Sequence, residues 1–172
     1  VFTAFDNTDM ASLQASSSIG QVILMQKFQE KFAKKGQIIS QVLLTHEDLK
    51  NKKRSLNTKN TLNKLLNENV IPILNENDNV SFDEITFGDN DQLSAMICEM
   101  INARYLILLT QANGLFDQDP ENVNAQRFTQ IEYDRSSDNI LTTSKSTTGK
   151  GGIKTKLKAV QKLTPMSIDG FT

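Results

Sequence analysis

At 172 residues the chain has room for one domain with a real core. A net charge of −1 and a hydrophobic fraction of 38% produce no field that would draw it to nucleic acid or a membrane surface. Aromatics make up 6% and Trp is absent, which argues against a stacking platform for single-stranded nucleic acid, and the lone Cys98 and lone His46 exclude an internal disulfide framework and a multi-histidine or cysteine–histidine zinc site.

Residues 1–10 have no clear period, and VFTAFDNTDM lacks the basic and apolar regions of a signal peptide. No apolar run is long enough to span a bilayer. Ala11 to Gly20, ASLQASSSIG, is small and polar and can open a helix. Ile19, Ile23, Leu24, Phe28 and Phe32 then recur at helical spacing, with Gly36 as C-cap after Lys34 and Lys35. Ile38 to Thr45, IISQVLLT, is β-branched and apolar and reads as a buried strand. His46-Glu47-Asp48 begins a charged loop or short helix, with His46 expected at the surface.

Leu56, Leu62, Leu65 and Leu66 mark a second helix, and Val70 to Leu74 the next strand. Pro72 argues for an interruption there or an edge position, because proline cannot donate to a ladder. Phe82 to Phe87 alternates weakly, as in a short hairpin arm. Leu93, Met96, Ile97, Met100 and Ile101 give the cleanest helix, with Asp89, Asn90 and Asp91 at its capping positions. Tyr105 to Thr110, YLILLT, has the continuous apolar character of a strand covered on both faces. Asn113-Gly114 and Asp119-Pro120 are turn signals. Polar, aperiodic sequence follows, and a mobile loop is expected over 134–150 within a single domain spanning 1–172. After Gly151-Gly152, Ile153, Leu157 and Val160 mark a last helix that Pro165 ends. Strands alternating with helices indicate an α/β sandwich with a largely parallel sheet.

Three segments carry chemistry. In Val70–Asp91 an apolar strand stops abruptly at Asn75-Glu76-Asn77-Asp78, and Gly88-Asp89-Asn90-Asp91 follows. Carboxylates and amides at the end of a buried strand are costly without partners. The carboxyl ends of strands are also where open α/β sheets bind ligands, so the pattern fits a small molecule carrying an amine, a carboxylate or both. The bland alternatives are a polar turn for the first cluster and a helix cap for the second. One capping residue suffices and three invite a second job: Asn90 can bond a substrate carboxylate or amine, and Asp91 can orient a lysine. Finally, Gly149 to Lys156, GKGGIKTK, is a glycine-rich turn opening a helix, where backbone N–H groups and lysines suit phosphates. Its spacing is not that of a Walker A loop. Cys98, inside the amphipathic helix, reads as buried and inert.

Taken together and in order, these segments resemble the amino-acid kinase family, and within it the glutamate 5-kinases. The resemblance rests on ASSSIGQ at Ala15–Gln21, QVLLT at Gln41–Thr45, LNTKNTL at Leu56–Leu62, NEND at Asn75–Asp78, FGDND at Phe87–Asp91, LLTQANGLFDQDP at Leu108–Pro120 and GKGGIKTKL at Gly149–Leu157. NEND and FGDND are the most specific, and their pairing favours glutamate over aspartate, N-acetylglutamate or a nucleotide monophosphate. The resemblance implies a three-layer α/β/α sandwich with a mainly parallel sheet, and ATP-dependent phosphorylation of the γ-carboxylate of L-glutamate, the first step of proline synthesis.

Residue by residue, the resemblance implies that Asp78 and Asn90 hold glutamate's α-amino and α-carboxylate groups, with Asp89 and Asn75 in the same substrate site. Asp91 organises the catalytic lysines. Thr110 touches the nucleotide. Lys150, Gly151, Gly152, Ile153, Lys154, Thr155 and Lys156 wrap the ATP phosphates, and Lys156 stabilises the transferring phosphoryl group. Mg2+ accompanies ATP, with no protein ligand assigned. The resemblance further implies a homo-oligomer, often inhibited by proline, in the cytoplasm, or in the mitochondrion if the kinase is half of a bifunctional eukaryotic enzyme fused to a reductase.

Four features depart from the family pattern. The opening strand with its K-x-G-[ST]-S turn is missing, as is the T-S-G-A loop. Gln111 stands where the family has Asp, and Lys150 where it has Thr. The expectation is therefore the central and C-terminal part of a kinase domain, incomplete at both ends, stopping before the next strand and inactive alone. A non-catalytic domain that binds glutamate or proline is the alternative of a different class.

Overall fold

Capping and chain-reversal residues set the limits of the helices. The computed structural model describes residues 9–80, 90–109, 114, 116–117, 122–128, 156, 159 and 169–171. Helix α1, Met10–Ala33, starts at Asp9, whose carboxylate accepts from the Ser12 backbone N–H at 2.9 Å. That bond satisfies one orphan donor of the first turn. Hydrogen bonds from the Ser12 hydroxyl and backbone hold the Asp9 carboxyl below its ordinary range. The helix thus begins well before the Ile19 periodicity, at Met10, and includes the whole segment 11–20. It ends as Gly36 takes φ 68°, the left-handed conformation glycine adopts without strain.

Strand β1, Ile38–Leu44, is followed by α2, His46–Lys50, α3, Lys52–Asn67, and β2, Val70–Glu76. A reciprocal capping box opens α2. The Thr45 hydroxyl oxygen accepts from the Asp48 N–H at 3.2 Å, and the Asp48 carboxylate accepts from the Thr45 N–H at 2.9 Å. Asp48 also takes a 2.9 Å bond from the Thr45 hydroxyl and a 3.0 Å bond from Arg54 Nη1. The side chain of Asn51 caps α3 in turn. Asn69, at φ 57°, reverses the chain into β2, since asparagine tolerates the left-handed region better than bulkier residues.

β1 and β2 pair in parallel, in a register running from Ile38 against Val70 to Leu44 against Glu76. The helical connection between them is the crossover a parallel pair requires. α1 lies against β1 and α3 packs on β2. Pro72 sits opposite Ser40 without breaking the strand, so the interruption is not seen. Among the described residues this sheet has only these two strands, which leaves β2 an edge. The expectation of a buried β1 needs correction: Ile38 is exposed and Leu44 alone is fully buried, because nothing described covers the outer positions. Leu62 of α3, at 1% exposure, and Leu49 of α2 supply further core.

The second compact unit begins at Asp89. Helix α4, Asn90–Met100, buries Leu93, Ala95, Ile97 and Cys98. Burial pushes the Cys98 thiol up, which keeps it protonated and inert. Asn102, at φ 53°, ends this helix as Asn69 ends α3. Strand β3, Tyr105–Ile107, pairs in parallel with β4, Asp169–Phe171. β4 lies where the sequence reading expected the chain to stop before its next strand, so that expectation is corrected. The pleat turns Leu106 and Leu108 into a core with Ala95, Cys98 and Ala159. Ile107 and Leu109 are 65% and 89% exposed, so among the described residues the run is covered on one face rather than two. An apolar run shows that both faces tolerate burial, not that both are covered. The expected hairpin arm at 82–87, the turn at 119–120 and the loop at 134–150 lie outside the described residues. Of the expected last helix, Lys156 and Ala159 are described, and both are helical. Both units are parallel α/β, as strand–helix alternation implies. Among the described residues no helix is long and apolar enough to cross a membrane.

Candidate functional site

In the first unit the polar cluster at 75–78 lies at the carboxyl end of the parallel pair. Asn75 and Glu76 are the last residues of β2, and the Asn77 N–H donates to the Leu44 carbonyl at 2.9 Å, closing the ladder. Beyond this point the backbone leaves the sheet and presents side chains in quick succession. Residues 15–21 of α1 come alongside. The Ser17 hydroxyl donates to Asp78 Oδ2, and the Ser18 hydroxyl to Asn79 Oδ1. Asn75 Nδ2 donates to Gln21 Oε1 at 2.9 Å. Two segments more than 50 residues apart in the chain therefore meet here, as the separations of 61 and 54 between bonded partners show. Short side chains on α1 let the helix approach the strand end closely enough for these bonds.

The cluster is only partly satisfied from within. Gln21 Nε2 and Asn77 Oδ1 are buried with no hydrogen-bond partner among the described residues. Glu76, 5% exposed, has its Oε1 3.6 Å from His46 Nδ1. His46 is accordingly half-buried, not at the surface as expected, because α2 starts directly after β1 and delivers it beside the end of β2. A carboxylate such as Asp78 can accept from an ammonium group, and amide N–H groups can serve a carboxylate. The cluster has the donor and acceptor types for a zwitterion.

In the second unit Asn90 opens α4 and Asp91 occupies its first turn, where the helix dipole favours an anion. Lys156 Nζ donates to Asp91 Oδ1 at 2.9 Å and Oδ2 at 3.0 Å. Both side chains are largely buried, with exposures of 15% and 16%. An ammonium carries three donors and no acceptor, and both carboxylate oxygens of Asp91 accept from it. The pair holds a positive charge in a defined, partly desolvated place, which suits stabilisation of a developing anion.

Of the residues singled out in the sequence, the structure brings Asp91 to Lys156, and sets Asn75 and Asp78 at one strand end. Asn90 lies at the helix start, exposed. Asp89, Thr110, Lys150, Gly151, Gly152, Ile153, Lys154 and Thr155 lie outside the described residues. The contacts from Ser17, Ser18 and Gln21 were not foreseen. The available signal is the run ASSSIGQ at Ala15–Gln21, which carries part of the family resemblance but by itself assigns no contact to Ser17, Ser18 or Gln21.

The amino acid kinase family profile matches residues 2–168. A glutamate 5-kinase of Hydrogenovibrio crunogenus is 40% identical over 157 residues, covering 90% of this chain and 42% of its own. Glutamate 5-kinases of Pseudomonas putida and Pseudomonas paraeruginosa are 42% and 43% identical over 154 residues, 88% of this chain and 41% of theirs. The chain thus spans about two fifths of the length of these relatives.

Proposed function

The chain belongs to the amino acid kinase family, and on that premise we propose that it carries part of the kinase domain of an ATP-dependent glutamate 5-kinase. In the proposed reaction a γ-carboxylate oxygen of L-glutamate attacks the γ-phosphorus of ATP. The bond from that phosphorus to the β–γ bridging oxygen breaks, and γ-glutamyl phosphate and ADP result. The product is the activated acid that begins proline synthesis.

The observation that carries this reading is the buried Asp91–Lys156 pair. Phosphoryl transfer asks the protein for positioning and positive charge more than for covalent chemistry. A carboxylate is already a nucleophile, so no strong base is needed. Lys156, held by Asp91, places its charge against the oxygens of the transferring group. Asp78, braced by Ser17, accepts from the substrate ammonium, with Asn75 beside it and Asn90 and Asp89 completing substrate recognition. Thr110 and the segment from Lys150 through Gly151, Gly152, Ile153, Lys154 and Thr155 serve the nucleotide.

Mg2+ bound with the nucleotide would supply charge neutralisation at its phosphates. Among the described residues no group of three acidic, histidine or cysteine side chains could cage a metal. A magnesium ion that arrives on the phosphates and keeps its waters needs no such cage, so the residues present are compatible with it.

The reading is tested by hydroxylamine trapping with the full-length native polypeptide, ATP, magnesium and a panel of acids. Hydroxamate from glutamate, and not from aspartate or N-acetylglutamate, is the expected result. Hydroxamate from another acid alone would reassign the substrate.

A further inference from the structure

Gln21 lies one helical turn beyond Ser17 on α1, so the two side chains leave the helix on the same face. Ser17 donates to Asp78, and Gln21 Oε1 accepts from Asn75 Nδ2 at 2.9 Å. The other end of the same amide is different: Gln21 Nε2 is shut off from solvent, with no partner among the described residues. A buried donor left unmade is expensive, and its retention asks for a reason. The surrounding groups give one. Asp78 is a negative acceptor suited to an ammonium group, and four residues of helix rise only about 6 Å, the scale of an α-amino acid. A neutral amide donor on the same helix face, one turn from the serine that holds Asp78, calls for an acceptor, and on an amino acid the carboxylate is the strong one.

We propose that Gln21 is a substrate-binding residue: its Nε2 donates to the α-carboxylate of the bound acidic amino acid while its Oε1 holds Asn75. The proposal rests on the glutamate reading above and adds to it a contact from α1. One side chain thereby links the ligand to the end of β2. Removing the donor weakens ligand binding without touching the phosphate machinery in the other unit.

The decisive variant is Gln21→Glu in the full-length native polypeptide, because it keeps an acceptor for Asn75 Nδ2 and loses the donor. The expected result is a rise of about tenfold or more in KM for glutamate, as for one lost hydrogen bond to a charged group. KM for ATP and kcat stay within about twofold. Gln21→Met, which loses the donor and the brace for Asn75 together, also raises KM for glutamate; should Gln21→Glu melt early, an unchanged KM in folded Gln21→Met overturns the proposal. Unchanged KM for glutamate in a folded Gln21→Glu protein overturns the proposal and leaves Gln21 a brace for Asn75. Wild-type protein that forms no hydroxamate contradicts the glutamate reading itself and takes this inference with it, whereas wild-type turnover with an unaffected variant contradicts this inference alone.

Discussion

Lys156 Nζ reaches both oxygens of Asp91, 65 residues earlier in the chain, at 2.9 and 3.0 Å. The carboxylate fixes where the ammonium stands, and burial keeps solvent from relaxing it. Asp91→Asn preserves the shape of the first turn of α4 and removes the charge that holds the lysine. The expected outcome is a fall in kcat of roughly 100-fold, the scale of losing one preorganised charge contact. KM for glutamate changes less than about threefold. Steady-state kinetics against both substrates separate this from a binding defect.

Asp78 and Ser17 form a second such relationship, one bracing the other. Asp78→Ala removes the acceptor proposed for the substrate ammonium, and the expected outcome is a rise in KM for glutamate of roughly 10- to 100-fold, equivalent to about 1.5–3 kcal/mol. Ser17→Ala leaves the carboxylate present but unbraced and raises the same KM by about fivefold, near 1 kcal/mol. Neither alters KM for ATP. A parallel rise in both KM values would instead indicate damage to the fold.

Asp48 ties the pH response of the first unit to a helix cap. Its carboxyl is held below its ordinary 3.8 chiefly by the Thr45 backbone N–H. Burial opposes this shift, and the Thr45 hydroxyl and Arg54 assist it. The folded-state value is thus the lower one, so the contribution to stability is complete above the ordinary value and fades as pH falls through the folded one. Asp48→Asn costs about 1 kcal/mol at pH 7, the usual scale of a lost cap. Urea denaturation at pH 7 and at pH 3 checks this, with the gap between the two proteins narrowing at the lower pH.

Leu62 and Leu56 share α3 but not an environment, at 1% and 57% exposure. Leu62→Ala leaves a cavity under the helix and costs about 2–5 kcal/mol. Leu56→Ala stays within roughly 0.5 kcal/mol. Equilibrium denaturation of both proteins is the measurement, and equal losses would contradict the packing described.

Helices and strands could be read from the sequence where period and capping agreed. Leu62, Leu93 and Ile97 fall on the faces their spacing implies, and β1 and β2 occupy the two apolar runs. Coverage could not be read. Ile38 and Ile107 look like core residues in sequence and are exposed, because pleating assigns faces while other segments decide which face is covered. β4 is not legible in the sequence because its three residues, Asp-Gly-Phe, carry no strand signal of their own; among the described residues they pair with β3. In the site, Asp91 and Lys156 were each singled out from local chemistry, and a lysine partner for Asp91 was foreseen. Gln21 was not, because a glutamine in a helix gives no sign of which strand end it will meet.

Hydroxylamine trapping of γ-glutamyl phosphate, run side by side on the full-length native polypeptide and its Lys156→Ala variant, tests the central claim most directly, with calorimetric glutamate binding as the control. The account predicts hydroxamate from the wild type, none from the variant, and glutamate binding by both. No hydroxamate from the wild type, or an undiminished yield from Lys156→Ala, would contradict it.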